Sequence, residues 1–160
     1  MRGVYTVNYR IAALAAVRTL VYVTVPSNVL IELLYTEITN ESNEVNEQLV
    51  AAWQRITTLG TPTATTVTPT KAEKGDQAAA SVWKANVTAS EPTYGGVAQS
   101  AALVDVIGLK GFPSLGGYLF APAPEERPLL SISDSWGMRL IVAPSVAVDF
   151  DLEVRFREVG

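Results

Sequence analysis

Close to the C-terminus, Val146, Val148, Phe150, Leu152, Val154 and Phe156 alternate without a break with Ala147, Asp149, Asp151, Glu153, Arg155 and Arg157. A period of two is that of a β-strand with one face in a core and the other in water. Twelve residues in this state span ~40 Å, against the usual five or six residues of a strand. So long an apolar stripe has to be covered by another layer of structure, and a second sheet is the simplest cover.

The N-terminal region repeats the pattern. Tyr5, Val7, Tyr9 and Ile11 alternate with Thr6, Asn8 and Arg10, and Val21, Val23 and Val25 with Tyr22 and Thr24. After a Pro26-Ser27-Asn28 turn, Val29, Ile31, Leu33 and Tyr35 continue it, with Leu30 and Leu34 on the opposite phase pointing to burial on both faces. Ser81–Thr88, Ala98–Ile107, Gly117–Ala121, Leu129–Ile132 and Met138–Ala143 are further strand candidates, most of them bounded by Gly, Pro, Asn or Asp. One segment reads two ways. Val45, Leu49, Trp53 and Ile56 fit a helix, whereas Leu49, Ala51 and Trp53 also alternate as in a strand. The expected fold is all-β: an antiparallel β-sandwich, jelly-roll-like, in a single domain over residues 1–160, the length of one ordinary domain.

Within it, residues 57–78 are expected to form an extended loop. Eight threonines between Thr57 and Thr70, with Pro62 and Pro69, favour stretched backbone that could reach ~70 Å, across a neighbouring subunit. The bland reading is a floppy surface loop. Gly108–Gly117 and Ala121–Pro128 are shorter irregular stretches.

Composition removes several kinds of chemistry. The chain has no cysteine and no histidine, so disulfides, thiolate metal sites, Cys nucleophiles and Ser-His-Asp triads are excluded. Twelve basic residues against sixteen acidic ones, with the basic ones scattered, do not fit direct nucleic-acid binding. The longest apolar run, Ile11–Val17, is far below the ~18–20 residues of a membrane-spanning helix. Thr6, Asn8, Arg10 and Arg18 break any signal-peptide pattern, so this segment reads as mature chain. Charged residues are only 18% of the chain, against about 25% in typical soluble domains. Either the core is unusually large or part of the exterior is covered by other protein; the second reading is preferred.

Each catalytic constellation has a stronger structural explanation. Asp149, Asp151 and Glu153 share one strand face, but neighbours on that face lie ~7 Å apart, too far to share one cation unaided. A solvated face, balanced by Arg155 and Arg157, is expected. Glu125-Glu126-Arg127-Pro128 reads as a rigid turn, and Asp134-Ser135-Trp136-Gly137 as a type I turn that exposes Trp136 as a contact residue. Gly95-Gly96 and Gly116-Gly117 are turn glycines, lacking the Lys-Ser/Thr pair and helix of a phosphate loop. Trp53 and Trp83 could line a sugar cleft, but burial or a subunit contact is the expected role. No catalytic residue, metal ligand or cofactor site is expected.

A larger pattern is present. The segment Gln48–Ile56 is followed by the Thr/Pro-rich stretch, then Lys74-Gly75-Asp76-Gln77-Ala78-Ala79, a strand through Asn86-Val87-Thr88, and Leu119-Phe120-Ala121-Pro122-Ala123-Pro124-Glu125-Glu126-Arg127-Pro128 before a closing pair of strands. This order resembles that of small virion proteins of tailed bacteriophages similar to capsid cement (decoration) proteins. Pro124-Glu125-Glu126-Arg127-Pro128 is the best local match, and the resemblance covers about three-quarters of the chain. The Ala-rich N-terminal segment and Gly108–Gly117 lie outside it. The resemblance implies a strand at Gln48–Ile56 and a homotrimer on the outer surface of the capsid. It implies the major capsid protein as partner, bridged and stabilised without any direct role for nucleic acid or membrane. The candidate partner contacts are Thr61, Pro62, Thr65, Thr66 and Pro69, then Phe112 and Pro113, and Trp136. The rival reading is a receptor- or glycan-binding sandwich of a tail fibre or spike; a carboxylate-only glycosidase is a third.

Overall fold

The computed structural model describes residues 3–42, 46–95 and 105–160. Thirteen strands are formed among them: β1 Gly3–Leu14, β2 Arg18–Thr24, β3 Leu30–Asn40, β4 Gln48–Thr58, β5 Thr63–Val67, β6 Thr70–Lys71, β7 Val82–Ala89, β8 Thr93–Tyr94, β9 Val106–Pro113, β10 Tyr118–Phe120, β11 Leu129–Leu130, β12 Ser135–Leu140 and β13 Val148–Val159. The only helical element among the described residues is a 3-10 turn, Pro124–Glu126.

Two antiparallel sheets pack face to face. The first runs β10-β3-β13-β1-β6, with β11 also paired to β3; the second runs β5-β7-β2-β12-β4-β8, with β9 also paired to β4. Most connections cross from one sheet to the other, so strands near in sequence lie in opposite layers, as in a jelly roll. On one side β5 passes into β6, and on the other β9 passes into β10, closing both flanks of the sandwich. All-β architecture is thus as the alternation requires.

The alternating stripe of β13 is the middle of the first sheet. Phe150, Leu152, Val154 and Phe156 are buried between β1 and β3, while Val146 lies before the strand and is exposed. Facing them are Val21, Val23, Leu49, Ala51, Trp53, Trp83, Ala85, Met138 and Leu140 in one core. Aromatic rings link the layers: Tyr5 stacks on Phe156 at 5.4 Å, Phe156 on Trp83 at 4.6 Å, and Trp83 meets Trp53 edge-on at 6.2 Å. Two of the buried indole N–H groups have partners, Trp53 donating to Thr36 Oγ1 and Trp83 to Ser81 Oγ, both at 2.9 Å, whereas that of Trp136 has none. Trp53 and Trp83 are interior, not the walls of a cleft.

One open reading is settled as the resemblance implied, and four expectations change. The segment Gln48–Ile56 is strand, not helix: Leu49, Ala51 and Trp53 point inward, β12 pairs one edge, and β9 and β8 pair the other. Residues 57–78 are not one loop. Thr57 and Thr58 finish β4, β5 is hydrogen-bonded to β7, and β6 is hydrogen-bonded to β1, because Thr and Val prefer the pleated state whenever an edge is available. Gly108–Gly117 is mostly β9 followed by a tight turn, and Asp134–Gly137 is not an exposed turn but the entry into β12, held between β2 and β4. In β3 a register shift flips the pattern after Leu33, so Thr36 and Ile38 face inward and Tyr35 outward. Of the candidate strand Ala98–Ile107, residues 98–104 lie outside the described residues, as do Gly96, Val45 and Glu44.

Candidate functional site

The eight contact candidates separate into three places. Thr61, Thr65 and Thr66 are exposed and Pro62 and Pro69 half-buried, all on the flank built by β5 and β6. Pro113 is exposed at the end of β9 on the opposite flank. Phe112 and Trp136 are corrections. Phe112 is 2% exposed and packs against Tyr118 at 5.7 Å and Phe150 at 6.4 Å; Trp136 is 7% exposed in the core. In-phase burial on β9 and β12 takes both side chains out of reach of a partner.

The three carboxylates of β13 do share one outer face, with company from both neighbours. Glu153 pairs across to Glu37 and Asn8, and Asp151 to Thr39 and Arg10. These residues and Tyr9 line an open groove of about 430 Å³. Arg10 bridges Glu41 at 2.8 Å and Asp149 at 3.3 Å, while Arg127 and Arg157 both hold Glu32. Asp149 also accepts the Ala13 N–H at 2.7 Å, which with Arg10 lowers its pKa; a hydrogen bond to Asp151 raises that of Glu41. Tyr35 donates to Glu153 and, by burial first and that bond second, is pushed up to about 12. Among the described residues no cluster of carboxylates is arranged to hold a metal ion.

The feature that sequence reasoning missed is apolar. Among the described residues every exposed Leu or Ile, namely Leu109, Leu115, Leu119, Leu129 and Ile132, falls between β9 and the residues after β11. Leu109 and Leu119 are 53% and 50% exposed and stand on adjacent strands. With Gly108, Phe120, Pro122 and Glu126 they line a second groove of about 540 Å³. Leu119 is opposite Glu37 and Leu129 opposite Glu32, so the strip follows the β3 edge for about 16 Å. The signal available in the sequence was charge, not alternation: from Val106 to Ala123 the only charged residue is Lys110.

No family model, curated protein or solved structure matches this chain. Its surface chemistry must therefore be read from the molecule itself. The exposed area is 7594 Å², close to the ~7,750 Å² expected of a 17.1 kDa monomer. Sparse charge is thus spread over a surface of ordinary size, and the low charge content does not come from an oversized core. The flanks carry the deficit. No charged residue occurs from Thr57 to Thr70 on one side, and only Lys110 from Val106 to Ala123 on the other, whereas the outer face of β3, β13 and β1 is densely ionised.

Proposed function

We propose that the chain is a structural virion protein, a capsid cement protein that docks as a homotrimer on the outside of a tailed-phage head and bridges neighbouring major capsid protein subunits. The observation that carries this reading is the sandwich flank on which all the exposed Leu and Ile side chains of the described residues gather, on a surface otherwise thinly charged. Contiguous exposed apolar strips mark interaction surfaces, and protein is the cover this reading requires. The phage assignment rests on the resemblance over about three-quarters of the chain, and the clamping role on the rigidity of a two-layer core.

The mechanism is mechanical. Each copy contributes a weak contact to the shell, and three linked copies rebind at high effective concentration once one is attached, so that avidity exceeds any single affinity by a factor of 10²–10⁴ as an order of magnitude. Purified protein mixed with purified empty heads, then sedimented, tests it. Saturable binding that raises the temperature of head disruption is expected, and a protein that leaves heads untouched sinks the reading.

The groove beside Tyr9, with Asn8, Arg10, Glu37 and Asp151 on its walls, favours one second reading, a glycan- or receptor-binding role. Its polar walls could hydrogen-bond sugar hydroxyls. Binding of the isolated protein on a glycan array, abolished by Asp151→Ala, would favour it over the cement role.

A further inference from the structure

We propose that residues 90–95 are a strap that opens as a unit while the sandwich stays folded, uncovering Tyr22, Ile56 and Val87 on the outer face of the second sheet. The device stands independently of any role on a capsid.

The apolar material beneath the strap is separate from the main core. Tyr22, Ile56 and Val87, from β2, β4 and β7, face away from the space between the sheets and form with Tyr94 a cluster of their own. Backbone pairing is equally short, since β8 meets β4 only at Ile56 with Tyr94 and Thr58 with Thr93, across an irregularity. A segment with so little apolar contact and so short a ladder opens at a lower free energy than the whole molecule.

Side chains do most of the holding. The ladder between β2 and β7 stops at Val21 and Ala85, where Asn86 at φ +55° turns the chain aside. Two residues beyond, the Thr19 N–H donates instead to the Glu91 carboxylate at 3.1 Å, and the Thr19 hydroxyl donates to it at 2.5 Å. That hydroxyl, its proton given to Glu91, accepts from Tyr94 Oη at 2.6 Å. Gln54 Nε2 donates to the Gly95 carbonyl at 2.5 Å and Thr57 Oγ1 to that of Thr93 at 3.0 Å. Water replaces each of these partners when the strap lifts, so opening orphans none of them.

Closure, by contrast, does leave orphans. Gln54 is fully buried with its Oε1 unpartnered, and Arg139, its guanidinium 4.9 Å from the Tyr94 ring, has a buried Nε without a partner. Such atoms are rare in folded proteins, and both belong to side chains that touch the strap. Ser90, held in the left-handed region at φ +55° just after β7 ends at Ala89, is the pivot, and opening releases it from that conformation.

The chain has no cysteine, so one introduced thiol reports one place. Val87→Cys lies in the cluster under the strap and Val154→Cys in the core between the sheets, both at buried positions. Reaction with a thiol reagent is followed from zero urea to the unfolding transition. Val87→Cys is expected to react at least about 100-fold faster than Val154→Cys, at a rate nearly independent of urea, while Val154→Cys follows global unfolding. Glu91→Ala speeds the Val87→Cys reaction about tenfold. Ile31→Val, which trims the main core, speeds that of Val154→Cys about three- to tenfold and leaves Val87→Cys unchanged. Equal rates with equal urea dependence would overturn the inference, as would a Val87→Cys rate that follows Ile31→Val or ignores Glu91→Ala. If a cysteine variant does not fold, hydrogen exchange in the wild type decides the same point. The Thr19 amide is expected to be at least about 100-fold less protected than amides in the middle of β13, and equal protection overturns the strap.

Discussion

At position 158 a carboxylate stands where β13 should carry another apolar side chain. Glu158 is fully buried and accepts hydrogen bonds from the Ala80 N–H, the Ser81 N–H and Ser81 Oγ at 2.7–3.0 Å. It ties the segment leading into β7 to the opposite sheet, and Ser81 in turn receives the Trp83 indole. Three donors lose their acceptor in Glu158→Ala, which is expected to cost about 3 kcal/mol in urea unfolding, with Glu158→Gln milder because an amide oxygen still accepts. A loss below about 0.5 kcal/mol would mean the carboxylate fastens nothing. Ala13 is a second local compromise. At φ +51° it adopts a left-handed conformation in the β1 irregularity, from which its N–H reaches Asp149. That conformation costs a non-glycine residue about 1–2 kcal/mol, so Ala13→Gly is expected to stabilise by about 0.5–1 kcal/mol after glycine's own entropy, a rise of a few degrees in Tm. The same bond sets a pH dependence. Asp149 titrates below its ordinary value of 3.8 when folded, so its contribution is present above that value and is lost as pH falls through the lowered one. Glu41, raised by its bond to Asp151, works in the opposite sense and gains on protonation. Subtracting the acid-unfolding profile of Asp149→Asn from that of wild type isolates the first effect; parallel profiles below pH 4 would refute it.

Individual strands show why some were legible and others not. β13, β1 and β2 announce themselves because each lies in a sheet interior and keeps one apolar phase over most of its length, with register shifts only at Ile11–Leu14 in β1 and Thr19–Val21 in β2. β12 announces itself only from Met138 onward, since Asp134, Ser135 and Gly137 read as turn residues, and what makes Ser135–Gly137 strand is pairing on both edges with β2 and β4. Gly137 has a tertiary reason: the Tyr94 hydroxyl lies against it, bonded to Thr19 Oγ1 at 2.6 Å, with Arg139 over the ring at 4.9 Å. Thr19 is further held by Glu91, so residues 91–94 cover the outer face of the second sheet and form a small core of their own with Tyr22, Ile56 and Val87. Gly137→Ala would push Tyr94 away and is expected to destabilise by about 1–3 kcal/mol, with loss of near-UV signal from a displaced tyrosine. A neutral substitution would show that Tyr94 is not seated there. Alternation likewise misreads the end of β3 and residue 87 in β7, where a register shift and the left-handed Asn86 at φ +55° exchange inner and outer phases.

For the whole molecule, charge is unevenly placed: dense on the outer face of β3, β13 and β1, and absent, save for Lys110, from the stretches Thr57–Thr70 and Val106–Ala123 that contribute to the two flanks. A count of charged residues in the sequence reveals the deficit but not where it lies, since β9 and the turn after it break their alternation at Gly108, Gly111 and Gly116 and read as irregular. Placing Leu109 beside Leu119 requires the crossing from one sheet to the other. The partition leads to a prediction about how copies associate. Between 0.1 M and 1 M salt the Debye length falls from about 10 to about 3 Å, enough to silence contacts made by exposed charges. If the proposed homotrimer forms through the leucine flank, its dissociation constant should shift by less than about threefold over this range and its formation show a negative heat-capacity change, the mark of apolar burial. Sedimentation across that salt range and titration calorimetry at several temperatures supply both quantities. If the constant instead weakens about tenfold or more with salt, the copies meet through ionised residues, and the flank is left for some other partner to cover.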